Sequence, residues 1–315
     1  MTDNNASWER ELVTKLATEA LVEQRRRRRW GIFFKFLTFA YVTFLLVALI
    51  DWGARTDLGG GKKHTAMVEL NGIISPGADA SAEKINSALQ AAFKDKNTQG
   101  VIMRINSPGG SPVQSQTIYD EMRRLRKKYP DIPLYVVVED ICASGGYFVA
   151  AGADRIYVSP SSIVGSIGVL MNGFGFTGLM DKLGVERRLV TAGEHKGMLD
   201  PFSPVDAKEV EYAKTLIKEV HQQFINVVKE GRGKRLKETP DMFSGLIWTG
   251  AKSVELGLAD GYGTLDSIAR DVIKAEDIVD YTQKEGFAEK VAKRFGAAAA
   301  STFADYAIRS LPVLR

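Results

Sequence analysis

"VEDICASGGYFVAAGADRIYVSP", residues 138–160, decides the fold. The strand formers of "PLYVVVED" end in two acids, "ICASGGY" turns a corner, and "GGYFVAAGA" goes on with helix formers. "RIYVSP" then returns to strand composition. Strand, helix and strand in so short a space make a βαβ unit, whose two strands run parallel. Ser144 stands at the corner between Ala143 and Gly145. A serine at a helix start ordinarily caps it by accepting an amide hydrogen bond. Small neighbours also leave room for a substrate, and the Gly145 amide would face a negative charge that formed beside the serine.

The alternation continues outward in both directions. "TAMVELNGII" (65–74) and "GVIMRINS" (100–107) have strand character, and "SAEKINSALQAAFKD" (81–95) and "VQSQTIYDEMRRLRKKY" (113–129) amphipathic helix character. Downstream, "ERRLVT" (186–191) is expected as a further strand and residues 206–230 as a long helix. Apolar strands alternating with helices predict an α/β domain around a mostly parallel sheet, over residues 65–285. A second strand-to-helix corner, "RINSPGGSP" (104–112), carries Gly109 and Gly110. Adjacent parallel strands would bring both corners to the carboxyl edge of the sheet, where such folds bind ligands. The glycine corner lacks the G-K-[ST] ending of a nucleotide cradle, and the serine corner does not match the G-x-S-x-G elbow.

The N-terminal part has a different character. Arg25–Arg29 are five consecutive arginines, and from Trp30 to Ile50 only Lys35 is charged. A helix over that run rises ~31 Å, about the thickness of a bilayer core. Residues 1–29 are thus expected as a basic cytoplasmic segment, with a short amphipathic stretch at 8–24, and 30–51 as an uncleaved anchor. The glycine-rich 52–64 is expected as a tether, 65–285 as the globular domain and 286–315 as a C-terminal appendage. The arginine block puts the N-terminus on the cytoplasmic side and the domain outside.

Hydrophobic residues make up 45% of the 315 and charged ones 25%, which suits a folded protein rather than a disordered one. The net charge of +4 and the clustering of basic residues argue against nucleic-acid binding. A single cysteine, Cys142, excludes an intramolecular disulfide and a cysteine-rich metal site. Only three histidines are present: His64 at the tether, His221 in the long helix and His195 in the loop "TAGEHKGMLDPFSP" (191–204). A base for Ser144 would come from that loop, either His195 or Lys196. A lysine serves if burial keeps its amine neutral, and activity would then climb towards alkaline pH, since the reference pKa is ~10.4.

"INSPGGSP", "ICASGGYFVAAGADRIYVSP", "SSIVGSIGVL", "TAGEHKGMLDPFSP" and "SGLIWTGAKSVELGLADGYGTLDSI" together resemble the signal peptide peptidase A family, in its short bacterial membrane-anchored form. The likeness covers roughly residues 66–275. It implies a Clp protease/crotonase-like fold of repeated β-β-α units and a serine–lysine dyad, with Ser144 as nucleophile and Lys196 as general base. Ser166 matches the serine that hydrogen-bonds the lysine amine. Gly145 matches one oxyanion donor, and either Gly109 or Gly110 the other. The resemblance further implies no cofactor and no metal, apolar peptides such as remnant signal peptides as substrates, and a ring or dome of several copies in the bacterial inner membrane. Dyad residues in such a ring can come from neighbouring chains. A crotonase-like enzyme acting on acyl-CoA thioesters, or a non-catalytic membrane scaffold, are the competing readings. Self-processing of the tail "RSLPVLR" stays open.

Overall fold

The computed structural model describes residues 3–56 and 61–283, which divide into an N-terminal helix and a folded domain. The helix α1 (Asp3–Thr56) runs 54 residues without interruption. It passes straight through the arginine block, because arginine is a good helix former and the segment holds no proline. One continuous helix thus covers both the expected amphipathic stretch at 8–24 and the expected anchor at 30–51. Within α1, Thr14–Leu46 is long and apolar enough to cross a membrane, by length and composition. The segment expected as a tether, 52–64, overlaps the end of α1 and the first strand, which opens at His64. Residues 286–315, including "RSLPVLR", lie outside the described residues.

The domain alternates as its periodicity requires: β1 (His64–Asn71), α2 (Ala82–Lys94), β2 (Thr98–Ser107), α3 (Pro112–Lys128), β3 (Leu134–Ala143), α4 (Gly145–Ala150) and β4 (Arg155–Val158). There follow β5 (Ile163–Gly165), α5 (Thr177–Leu183), α6 (Ala207–Arg232), β6 (Ile247–Thr249), α7 (Gly250–Glu255), β7 (Gly261–Tyr262) and β8 (Ile278–Asp280). The sheet order is β6-β5-β3-β2-β1-β8, with β4 and β7 branching from β3. Every pairing is parallel except β5 with β6. One face of the sheet carries α2, α3 and α4, whose Leu89, Phe93, Ile118, Met122 and Tyr147 join Val68, Met103, Ile105 and Val136 in the main core.

β3 is shared between two neighbours, and this shapes the site. Its first part, Tyr135–Val137, pairs with β4, and its last, Ile141–Ala143, with β5. Where it bends, its register with β2 slips between Ile105 and Ser107. Asn106 patches the gap: its Oδ1 accepts from the Ile141 amide at 3.3 Å and its Nδ2 donates to Asp140 at 3.3 Å. The expected strand at 186–191 does not form. It has no ladder partner there, and Val190 is 93% exposed.

The end of α6 is tied to the sheet by a buried ion pair. Arg232 is 1% exposed; its Nε donates to the Gly257 carbonyl at 2.8 Å and its Nη1 to Asp260 at 2.9 Å. Asp260 also accepts from the Ile156 amide at 2.7 Å and pairs with Arg235 at 3.1 Å. Burial opposes ionisation of Asp260, but the hydrogen bond and charge of Arg232 outweigh it and hold the carboxyl below the ordinary aspartate range. Arg232→Ala is expected to lower unfolding stability by about 3–5 kcal/mol, read from urea midpoints at neutral pH. Because the folded pKa lies below the unfolded value of ~3.9, the contribution of Asp260 is complete above that value and is lost as pH falls through the folded one. The gap between wild type and Asp260→Asn should narrow accordingly in acid.

Candidate active site

Ser144 joins β3 to α4 with φ 51° and ψ −123°, a backbone state costing about 1–3 kcal/mol in a non-glycine residue. Two bonds enforce it. The Ser144 amide donates to the Gly165 carbonyl at 2.8 Å, and its own carbonyl accepts from Phe148 at 2.9 Å as α4 begins. The hydroxyl caps nothing. The ordinary explanation for a serine at a helix start therefore does not apply, and the Oγ is left without a hydrogen-bond partner among the described residues. Cys142, two residues earlier, is no rival nucleophile: it is fully buried, and burial pushes its thiol pKa far up.

The glycine corner lies directly against Ser144. A Cβ on Gly109 would stand 2.6 Å from the Gly145 nitrogen and 2.8 Å from the Ser144 Cβ, so the two corners meet at a distance that only glycine permits. Gly109 and Gly110 have φ of +101° and +152°. The corner is fastened to the chain leaving β1, where the Ile74 amide donates to the Gly109 carbonyl at 2.9 Å and the Ser111 amide to the Ile74 carbonyl at 2.8 Å. The Gly109 amide is taken by the Ser107 hydroxyl at 3.1 Å. Pro108 has no N–H. The Gly110 amide alone in this turn lacks a partner among the described residues. Its nitrogen would lie 3.1 Å from a Cβ on Gly145, so the two amides share one small space. The geometry favours Gly110 over Gly109 as the second donor beside Gly145.

Ser166 repeats the backbone oddity, with φ 51°. Its amide donates to the Leu246 carbonyl at 2.8 Å, and the Trp248 ring lies against Gly165, 2.9 Å from where a Cβ would be. His221 on α6 donates from Nε2 to the Ile167 carbonyl at 3.1 Å. Trp248 and His221 thus brace β5 and the residues just after it, where Ser166 stands and where the Gly165 carbonyl holds the Ser144 amide. The sequence marks "SGLIWTG" as a motif but gives it no role, because its contacts join segments some 80 residues apart.

Ser144, Ser166, Gly110 and Gly145 all line one cleft of about 730 Å³. Val113, Phe148, Leu170, Val220 and Phe224 give it a mainly apolar wall, interrupted by Gln116, Thr117 and Gln223. A hydroxyl beside two outward amides in an apolar cleft is the arrangement that acyl transfer needs: a nucleophile and donors for the oxyanion. Lys196 is not brought there. It sits in turns between Gly193 and Asp200, is exposed and does not line the cleft; its backbone amide donates to the Gly193 carbonyl at 3.1 Å, but its side-chain amine has no hydrogen-bond or ion-pair partner among the described residues. His195 is exposed in the same turns.

A parallel sheet with a glycine-rich corner beside a strained serine places the molecule among the Clp protease-like proteins, and residues 67–164 match the Clp protease family. Residues 126–279 match peptidase family S49. Over 257 residues the chain is 33% identical to a provisionally named protease of Methanocaldococcus jannaschii, covering 77% of this chain and 81% of that one. It is 31% identical over 232 residues to a provisionally named signal peptide peptidase SppA of Enterococcus faecium, covering 71% and 67%. The chain belongs to peptidase family S49. A longer Brucella abortus protein, named Na(+)/H(+) antiporter NhaA, is 46% identical over 209 residues, and the match spans 65% of this chain but 28% of that protein. A Brucella melitensis protein of the same name matches to the same extent. That name describes a whole of which the shared part is less than a third.

Proposed function

We propose that the chain is a membrane-anchored serine endopeptidase that cleaves apolar peptides, remnant signal peptides among them, at the bacterial inner membrane. The observation that carries this is Ser144: its backbone is strained, its hydroxyl is uncommitted, and it stands beside the unpartnered Gly110 and Gly145 amides. In this reading the Ser144 Oγ attacks the peptide carbonyl carbon and its proton passes to the neutral amine of Lys196. The carbonyl oxygen, now an oxyanion, is held by Gly110 and Gly145. The intermediate collapses, and the leaving amine takes the proton from Lys196. Water, activated by the same amine, then releases the acyl group and restores Ser144. Ser166, on the wall of the same cleft, holds the lysine amine.

Lys196 comes from a neighbouring copy. In support, the segment that bears it leaves Leu170, Phe174 and Val190 79%, 81% and 93% exposed, a load of apolar surface that association would cover. The anchor is the apolar run 30–51, which overlaps the membrane-competent part of α1, Thr14–Leu46; the arginines before it lie in the cytoplasm and the domain on the other side. Apolar cleft walls suit the small apolar side chains of signal peptides.

The test is covalent capture. Full-length protein in detergent, incubated with a fluorophosphonate probe, should gain one adduct per chain, located at Ser144 by peptide mapping. Cleavage of an apolar fluorogenic peptide should fall in proportion to the labelled fraction. Cleavage that continues after complete labelling, or an adduct on another serine, would overturn the reading.

A further inference from the structure

We infer that Ser107 is the positioning residue of the oxyanion site: its hydroxyl latches the glycine corner in the one conformation that turns the Gly110 amide towards Ser144. The inference rests on the reading of Ser144 as nucleophile. Ser107 ends β2 and is completely buried. Its single hydroxyl proton goes to the Gly72 carbonyl at 2.6 Å, and its oxygen accepts the Gly109 amide at 3.1 Å. One side chain thus satisfies both the chain leaving β1 and the corner, with every proton accounted for.

The consequence follows from counting the amides of the turn. Ser111 is bonded to Ile74 and Gly109 to Ser107, and Pro108 has no N–H. With its neighbours on both sides fixed, the Gly110 amide has no inward acceptor left to rotate towards. Take away the Ser107 oxygen and the buried Gly109 amide loses its acceptor, so the Pro108–Gly109–Gly110 backbone gains a reason to turn. No other acceptor among the described residues takes the Gly109 N–H, and the corner is then held only from the Ile74 side, through the Gly109 carbonyl and the Ser111 amide.

Ser107 touches the nucleophile corner too. A Cβ on Gly146 would stand 2.9 Å from the Ser107 carbonyl oxygen and 3.4 Å from its Cβ. Ser107 also pairs with Cys142 just past the register slip in the β2–β3 ladder. The same residue therefore sets the spacing between the oxyanion donors and the serine they serve. Because it lies beneath the corner and does not line the cleft, it does not touch substrate. Its loss should weaken binding of the transition state and leave ground-state binding alone.

The experiment compares full-length wild type, Ser107→Ala and Ser107→Cys in detergent. It measures kcat and KM on the fluorogenic peptide, and inhibition by a peptide aldehyde and by the matching alcohol. The aldehyde probes the oxyanion site directly. The Ser144 Oγ bonds to its carbonyl carbon, the π pair moves onto the oxygen, and the hydroxyl proton passes to the general base. The alcohol only occupies the cleft. In Ser107→Ala, kcat should fall about 10- to 100-fold with KM changed less than about twofold. Aldehyde affinity should drop in parallel while alcohol affinity holds. Ser107→Cys, whose thiol is a weak donor and acceptor, should fall between them, and it carries the test if the alanine variant does not fold. Unchanged kcat and aldehyde affinity in a folded variant would sink the inference. So would an equal loss of alcohol affinity, which marks a general packing defect. If wild type instead proves not to use Ser144, the parent reading fails and takes this one with it.

Discussion

Neither the Ser144→Ala chain nor the Lys196→Ala chain should cleave peptide, yet oligomers containing both should. Each single variant is expected to lose about 10⁴- to 10⁶-fold in kcat, as removal of a member of a nucleophile–base unit does. The recovery is the informative part. If the base reaches across from a neighbour, a site works wherever a chain with intact Ser144 abuts a chain with intact Lys196. Random mixing of equal amounts in a closed ring makes about a quarter of the sites competent. Co-expressed chains with different tags, purified through both tags and assayed on the fluorogenic peptide, give the measurement. The structure motivates it twice. Ser144 and Ser166 meet at one cleft whose lining does not include Lys196, and the segment from 169 to 205 that bears Lys196 carries much exposed apolar surface. Assembled mixed oligomers with no recovery, beside active wild type, would place Lys196 in its own chain's site or remove it from the mechanism.

What the sequence made legible follows from the range of the interactions involved. The βαβ order, the two corners and the serine set at one of them are local: each is written in a strand pattern, a proline, a pair of glycines or a small neighbour. So the sharp corner at Ser144 and Gly145 and the glycine turn are legible as backbone geometry, and the positive φ of Ser144 is the backbone form of the tight A-S-G-G corner. The choice between Gly109 and Gly110 was not readable. It depends on Ile74 and Ser107 consuming the neighbouring amides, and Ile74 comes from a segment more than 30 residues away. Ser107 lies in the same motif, where a serine before proline has the signature of turn chemistry; only the fold shows its hydroxyl joining Gly72 to Gly109. "ERRLVT" failed for the opposite reason: its apolar residues gave a strand signal, but a strand exists only where a ladder partner does. Lys196 was found through family resemblance, and its chemistry has no support within its own chain. Nothing in its composition distinguishes it from a solvated lysine.

Replacing Gly110 with alanine should abolish most of the activity while leaving the domain folded. An added Cβ would lie 2.1 Å from the Ile74 carbonyl oxygen and 2.8 Å from the Ile74 carbonyl carbon and nitrogen. Backbone cannot swing aside as a flexible side chain does, and the φ of +152° is itself strained for alanine. The easiest relief is for the corner to move away from Ile74. That movement breaks the bonds from Ile74 to Gly109 and from Ser111 to Ile74, and it displaces the Gly110 amide relative to Gly145. Losing one oxyanion donor lowers kcat about 10²- to 10³-fold. Displacing the corner against Gly145 should bring the loss to the upper end of that range. Gly261→Ala is the control, because a Cβ there meets only the Tyr157 ring, at an ordinary contact distance of 3.9 Å. Its kcat should match wild type. Fluorophosphonate labelling of Ser144 separates the causes, since that reagent also builds negative charge on an oxygen held by the same donors. Labelling should slow together with peptide cleavage in Gly110→Ala, with an unchanged circular dichroism spectrum. Slow cleavage with undiminished labelling would instead mean that the corner serves peptide binding, and the oxyanion would have to be held by Gly145 without Gly110.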